Sequence, residues 1–320
     1  MVDLVFGIDF TSAPTARKPI VVARALLSHQ DDSNALQLRT DEAPVEMLQA
    51  RLVANQSRPA RLKLLKFERF SQWQDYEAFL QAPTPVLSGP DTIRAMIAAF
   101  DFPFGLPKGL LQAWHWNTMD YRDIALRFAE HSRQYWVDRL KAFCDARPVG
   151  KKFAHRACDG PAGSSPSMKW VNPPVVFMYR EGFLRLIQAK WALPGFSQSI
   201  PAAQGPVALE AYPGHLARSA LGKLSYKSDS DPRDAVRRAH REHLLERLAS
   251  QLPIDFQISP DDRHAMIEDG QGDLIDAWMC AIQAAWAAMK GPPRWGVPVD
   301  LDPQEGWITS LDLADFFRDP

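Results

Sequence analysis

Acidic residues interrupt apolar segments of this sequence at three separate places. Asp9 follows the almost continuously apolar run Val2–Ile8, Asp101 lies within AAFDFPFG, and Glu210 lies within VALEAYPG. An ionised carboxylate that is buried without a partner costs several kcal/mol, so each of these acids requires a partner. A metal ion is one such partner. In open α/β sheets ligands bind at the carboxyl ends of the strands, where these three acids would converge.

Two further acids, Asp273 and Asp276, begin an apolar segment near the C-terminus. At a spacing of three residues they occupy neighbouring positions on one helical face, which we expect to pack against the sheet. Converging carboxylates suit hard divalent cations such as Mg²⁺ or Mn²⁺. Two such ions, about 4 Å apart, can stabilise the attacking and leaving oxygens of a phosphodiester displacement. The same acids would also serve as turn formers or, for Asp273, as a helix cap.

The apolar patterns predict the elements that position these acids. Strands are predicted at Val2–Ile8, Pro19–Leu27, Ala35–Arg39, Leu62–Phe70, Met96–Phe102 and Pro206–Tyr212. Helices are predicted after Ser71 as a cap, within Tyr121–Phe143, from the cap Asp231 to about Leu248, and over Asp273–Met289. Strands that first follow one another and then alternate with helices are typical of an α/β protein with a mixed sheet.

Five segments carry a resemblance to a known family. They are GIDFTSAPTARKPI (Gly7–Ile20), FDFPFGLP (Phe100–Pro107), LEAYPGHLAR (Leu209–Arg218), GDLIDAWMCAIQAAW (Gly272–Trp286) and EGWI (Glu305–Ile308). In this order, and over nearly the whole chain, they resemble the family called domain of unknown function 429, regarded as ribonuclease H-like predicted nucleases. The resemblance implies a ribonuclease H-like mixed sheet flanked by helices, with a long, mostly helical insertion.

The resemblance also implies roles for the five acids. Asp9 matches the family's first-strand acid, Asp101 the acid of its DxPFG-like motif, and Glu210 the acid before its proline-glycine turn. Its C-terminal helix acids match Asp273 and Asp276. We therefore expect a metal-dependent nuclease in which Asp9, Asp101, Asp273 and Asp276 hold Mg²⁺ or Mn²⁺. Glu210 joins Asp9, Asp101 and Asp276 in the candidate catalytic set, although it is an extra acid relative to related nucleases, either a ligand or a structural residue.

The chain is expected to divide at its long insertion. Residues 1–104 would form the first part of the core, residues 105–205 an inserted basic cap, and residues 206–320 the second part, ending in a buried helix and a short strand. Between Asp145 and Lys190 there are eight Lys or Arg residues against three acids. A basic cap with the aromatic residues Trp170, Phe177, Tyr179 and Phe183 would bind phosphates and stack on bases. The alternative is a solvated surface over ordinary core aromatics.

Five residues are candidates for contacts with a phosphate-containing substrate. Lys152 and Arg156 lie in the basic segment, and Arg meets phosphate oxygens in a bidentate way. Thr11 and Ser12, close behind the first acid, would bind a phosphate through hydroxyl and backbone N–H groups, or simply form a turn. His215 follows Glu210 closely and would act as a general base or hold the attacking water, unless it is a surface or capping residue.

Composition limits the remaining possibilities. The chain has 320 residues and a formal net charge of −1, which gives no general attraction to nucleic acid or membranes. Its three cysteines form no CxxC pair, which is typical of a reduced, cytoplasmic protein. The N-terminus lacks the basic region of a signal peptide, and no segment approaches the roughly 18 apolar residues of a membrane span.

Two other function classes fit the same pattern. The first is a non-catalytic ribonuclease H-like module that binds nucleic acid or a protein. The second is an actin-like, ATP-dependent phosphotransferase, which would require two copies of the core and Gly-rich phosphate turns. The sequence contains neither a repeat nor such a phosphate loop, so a nuclease acting on nucleic acid is the favoured prediction.

Overall fold

A six-stranded mixed sheet forms the centre of the protein. The computed structural model describes residues 1–29, 58–83, 92–197, 199–201, 205–228 and 230–318, so the predicted strand Ala35–Arg39 lies outside the described residues. The strands are β1 (Val2–Asp9), β2 (Ile20–His29), β3 (Ala60–Phe70), β4 (Ile93–Phe100), β5 (Val207–Glu210) and β6 (Ile254–Gln257). Their order in the sheet is β5-β4-β1-β2-β3-β6. The predicted α/β class with a mixed sheet is confirmed.

The strand directions follow from the connections. β1, β2 and β3 form an antiparallel meander, whereas β4 runs parallel to β1, β5 parallel to β4, and β6 parallel to β3. Every residue of β1 is buried, because this strand has neighbours on both edges and helices on both faces. That position explains its nearly continuous apolar sequence. β4 ends at Phe100, so Asp101 is the first residue after the strand.

Helices cover both faces of the sheet. They are α1 (Trp73–Gln81), α2 (Lys108–Ala113), α3 (Tyr121–Ala129), α4 (Arg133–Asp145), α5 (Asp159–Ala162), α6 (Val175–Gln188), α7 (Pro213–Leu221), α8 (Ala235–Gln251), α9 (Pro260–Glu268) and α10 (Asp273–Lys290). α10 packs against β1, β2 and β4, and its residues from Asp273 to Ala288 are buried. This confirms the predicted buried helix. α7, α8 and α9 join the same hydrophobic cluster on this face.

The segment 105–205, which was predicted to be a basic cap, covers the opposite face of the sheet. Its helices α2, α3, α4 and α6 share one hydrophobic cluster with β1, β2, β4 and α1, whereas α5 contributes to a separate, smaller cluster. Phe128 and Trp136 stack there with ring centroids 4.2 Å apart. Phe177, Tyr179 and Phe183 are buried in this cluster, as the alternative of ordinary core aromatics requires, so these three are not available to stack on bases. Trp170 is half-buried and packs against Phe153.

Several predicted helix boundaries differ from the structure. The helical segment Tyr121–Phe143 is interrupted between α3 and α4, because the Ser132 side chain accepts a hydrogen bond from the Tyr135 N–H and caps α4. The N-cap of α8 is Asp234 rather than Asp231, since the Asp234 carboxylate accepts from two N–H groups of the first turn. Gln72 rather than Ser71 occupies the N-cap of α1, without a side-chain cap.

At the C-terminus, a short strand was predicted. The structure has one isolated parallel bridge there, between Glu210 and Ile308, followed by a 3₁₀ helix over Leu311–Phe317. Among the described helices, none is long and apolar enough to cross a membrane.

Candidate carboxylate site

Two of the predicted acids meet at the carboxyl edge of the sheet. In the parallel pair of β1 and β4, Ile8 lies opposite Phe100, so Asp9 and Asp101 follow at the same end. The Asp101 N–H donates to the Ile8 carbonyl at 2.9 Å, which fixes the turn after β4 against β1. Both acids line the same cavity. The convergence that was predicted from strand ends is therefore present for this pair.

The first turn of α10 brings two more acids to this edge. Close approach of the helix to β1 depends on Gly7, because a Cβ at that position would lie 2.0 Å from the Ala281 nitrogen and 2.1 Å from the Ala277 oxygen. Only glycine leaves that space free. Asp276 and Asp273 are buried at the start of the helix, with Asp276 fully inaccessible to solvent.

The acids on α10 already have protein partners. The Tyr226 hydroxyl donates to Oδ1 of Asp276 at 2.5 Å, and the Lys227 ammonium group donates to its Oδ2. Oδ1 of Asp273 accepts from Nζ of Lys18 at 2.8 Å. Lys18, Tyr226 and Lys227 were not predicted to belong to the site. They lie in loops, where no periodic pattern marks them.

Asp9 and Asp101 differ from Asp273 and Asp276 in their hydrogen-bond partners. Within the part of the chain that the structure describes, no side chain or backbone N–H donates to either carboxylate. Asp9 is nonetheless only 8% exposed. The site therefore contains two carboxylates held by cations and two without a donor.

Burial and mutual repulsion make the ionised forms of these two acids unfavourable. Burial raises the pKa of Asp101 to about 7, and the negative charge of Asp276 adds to the rise while Lys227 opposes it. Burial also raises the pKa of Asp9 well above its usual range, with Asp276 and Asp273 contributing. Without another cation, the folded protein favours protons on these carboxyl groups.

The raised pKa of Asp101 makes the stability of the folded protein depend on pH. The unfolded Asp101 carboxyl releases its proton near 3.8, whereas the folded one keeps it to about pH 7, so folding binds a proton between these values. We expect stability of the metal-free protein to fall across this interval, by about 4 kcal/mol from this group. Urea unfolding at several pH values measures the change. Asp101→Asn should flatten the profile, and an unchanged profile would contradict the assignment.

Glu210 lies in a separate, buried ion pair with Arg156. Arg156 donates to Oε1 of Glu210 at 2.6 Å and to its Oε2 at 2.9 Å, and the Phe104 N–H also donates to Oε2 at 2.9 Å. The same guanidinium group bonds to Asp159 and to the Glu305 carbonyl. These contacts join β5, α5 and the C-terminal segment. Both predicted functional residues thus have a structural pairing, although both also border the cavity.

Breaking this pair is expected to destabilise the fold. Glu210→Gln leaves the Arg156 guanidinium without its main counter-charge in a buried position, which costs about 3–5 kcal/mol. Thermal and urea unfolding measure the loss. Asp300→Asn, at an exposed position, is the control and should change stability by less than about 0.5 kcal/mol. Equal stability of the two variants would contradict the structural role.

The other predicted substrate contacts are distributed over three places. Thr11 and Ser12 line the cavity beside Asp9. About half of the Lys152 side chain is exposed, and its Nζ lies 3.6 Å from Oδ1 of Asp145. Lys152 is not among the described residues that line the cavity. His215 is buried in α7, where its Nε2 donates to the Leu311 carbonyl at 2.9 Å and fastens the 3₁₀ helix.

A cavity of about 1210 Å³ lies over the carboxylate edge. Besides the acids, it is lined by four basic side chains that the sequence did not single out, namely Lys18, Arg218, Lys223 and Lys227. Apolar residues from the turn after β4 and from the start of α6 form another part of its wall, among them Phe102, Pro174 and Met178. Such a lining combines anion-binding groups with surfaces for a flat or apolar part of a ligand.

The donor set limits how a metal ion would be held. Among the described residues, no group of three or more His, Cys, Asp or Glu side chains is arranged to hold a metal ion. Mg²⁺, however, is commonly bound by one or two carboxylates together with water and substrate phosphates. Asp9 and Asp101, which lack donors and face the cavity, fit this mode of binding.

Known proteins offer no further guide to this site. Comparisons of the chain with protein-family models, with curated proteins and with solved structures each give no match.

Proposed function

We propose that this protein is a ribonuclease H-like, metal-dependent nuclease of the family called domain of unknown function 429. The observation that carries the proposal is the pair Asp9 and Asp101, two carboxylates without donors among the described residues, at the carboxyl edge of a mixed sheet and beside the acids of α10. An antiparallel meander of three strands followed by two parallel strands agrees with the sheet that the resemblance implies. The described residues form one such sheet, which disfavours an actin-like enzyme with two copies.

The side chains around the cavity have distinct roles in this proposal. Asp9 and Asp101 would hold Mg²⁺ or Mn²⁺, which supplies a Lewis acid for a phosphodiester oxygen and lowers the pKa of water. Arg218 and Lys223 border the cavity and would bind phosphate groups of the substrate. Pro174 and Met178, which are partly exposed, offer apolar surface to a base or sugar. The proposal gives no ligand role to Glu210, because Arg156 and the Phe104 N–H occupy its oxygens.

A hydrolysis assay tests this proposal. Labelled single- and double-stranded DNA and RNA are incubated with the protein and Mg²⁺ or Mn²⁺, or with a chelator. We expect metal-dependent cleavage that falls at least about 100-fold in Asp101→Asn, since an interaction with the reacting centre is lost. Asp300→Asn should cleave like the wild type. Salt-dependent binding without turnover under any metal would favour a nucleic-acid-binding module instead.

A further inference from the structure

We infer that the carboxylate edge takes a single divalent ion, and that the Lys227 ammonium group stands in for a second one. The inference deepens the proposed function and rests on it for the presence of the first ion. It concerns the stoichiometry of the site and adds Lys227 to the residues that act on the substrate.

The contacts of Asp276 are the first support. Each of its carboxylate oxygens has a donor, the Tyr226 hydroxyl at 2.5 Å for Oδ1 and the Lys227 ammonium for Oδ2. Asp276 itself is fully buried and does not line the cavity. An ion that used Asp276 as a ligand would therefore have to displace one of these two donors from a carboxylate without solvent access.

The segment that carries the two donors is held in place by the core. Arg241 is buried, and it donates to the Tyr226 carbonyl at 2.8 Å and to the Ile267 carbonyl at 2.6 Å. The Ser228 N–H donates to the Gly270 carbonyl at 3.1 Å on the other side of Lys227. The backbone on both sides of Lys227 is thus fixed, which orients its side chain toward Asp276 before any ligand binds.

The balance of charges gives the second support. The edge contains four carboxylates, and the ammonium groups of Lys18 and Lys227 pair with Asp273 and Asp276. Among the described residues no cationic group bonds to Asp9 or Asp101, so the deficit equals the charge of one divalent ion. Asp9 lines the cavity, is more than nine-tenths buried and has no donor among the described residues, as expected for a ligand of that ion.

Lys227 has a chemical role in this arrangement. Its ammonium group carries three N–H donors, and Asp276 accepts one of them. Lys227 also lines the cavity, so the remaining donors are available to a phosphate oxygen beside the ion. A fixed ammonium group would then stabilise negative charge on the phosphate that a second metal ion stabilises in two-metal enzymes.

Titration of the full-length, metal-free protein with Mn²⁺ alone tests the inference. Calorimetry counts the ions bound, and electron paramagnetic resonance separates an isolated Mn²⁺ from two coupled ions about 4 Å apart. We expect one isolated Mn²⁺ per wild-type chain. Lys227→Met, which removes the ammonium group and keeps the length of the side chain, should bind two ions with a coupled spectrum. Lys223→Met, a lysine of the same cavity, is the matched control and should bind one.

The number of bound Mn²⁺ ions distinguishes a failure of the one-ion inference from a failure of the proposed function. Two coupled ions in the wild type would overturn the inference but leave the proposed nuclease intact, and this outcome does not depend on the folding of any variant. One ion in a folded Lys227→Met variant, checked by circular dichroism, would also overturn it. No Mn²⁺ binding to the wild type, with or without a phosphodiester, would instead contradict the proposed function.

Discussion

Replacement of Asp9 by Asn is expected to stabilise the metal-free protein and to abolish the proposed hydrolytic activity. The Asp9 carboxylate is buried beside three other acids and lacks a donor among the described residues, so its charge opposes folding. Burial of an uncompensated charge costs several kcal/mol per ion, so its removal should raise the free energy of unfolding by an amount of that order near pH 8. In the proposed nuclease the same change would remove a metal ligand, and it should reduce hydrolysis at least about 100-fold.

Opposite effects on stability and activity distinguish a ligand from a structural acid. Thermal unfolding with and without Mn²⁺ is the measurement, together with the hydrolysis assay. Mn²⁺ should raise the melting temperature of the wild type and leave Asp9→Asn unchanged, because only the former binds the ion. Asp300→Asn should behave like the wild type in all three experiments. An Asp9→Asn variant that is less stable than the wild type and still active would exclude Asp9 from the site.

The second large effect is expected for Gly7→Ala. Gly7 lies two residues before Asp9, where β1 contacts α10. The added Cβ would meet the backbone of α10 at 2.0 Å and 2.1 Å, and backbone atoms cannot rotate away as a flexible side chain does. Helix α10 would have to move off β1, at a cost of about 3 kcal/mol or more. The end of β1, which carries Asp9, would be displaced as well, so Mn²⁺ affinity should also fall.

Gly160→Ala is the control for this variant, since no atom lies within 4 Å of a Cβ at Gly160. Urea unfolding should give nearly wild-type stability for the control and a clear loss for Gly7→Ala. Calorimetry with Mn²⁺ on the folded fraction measures the effect on the site. A Gly7→Ala variant with wild-type stability would contradict the close packing of α10 on β1.

The sequence contained enough information for the central strands and the acids that follow them. β1 and α10 are buried on nearly all sides, so their apolar runs are long and their ends are marked by Asp9 and Asp273. Asp101 could be predicted as a site residue because an acid within an apolar segment is unfavourable unless it has a partner. The start of α8 was harder to predict, because Asp231 and Asp234 are both suitable N-cap residues. Only the folded backbone decides which carboxylate reaches the free N–H groups of the first turn.

The basic half of the site was not predictable in the same way. Lys227 is 49 residues from Asp276, and Lys18 is 255 residues from Asp273, so no local spacing connects the partners. Glu210 was a candidate catalytic acid or a structural residue, and Arg156 was a candidate phosphate contact. The structure pairs the two across 54 residues. A single sequence indicates that a buried charge requires a partner. The topology of the sheet decides which partner it receives.

Anomalous diffraction from crystals soaked with Mn²⁺ would show directly whether Asp9 and Asp101 hold a metal ion. We expect one strong peak at the carboxyl edge of the sheet, within coordination distance of carboxylate oxygens of Asp9 and Asp101, with Lys227 still bonded to Asp276. No peak at this edge when Mn²⁺ saturates the crystal, or a peak only at surface carboxylates elsewhere, would contradict a metal-dependent site formed by these residues.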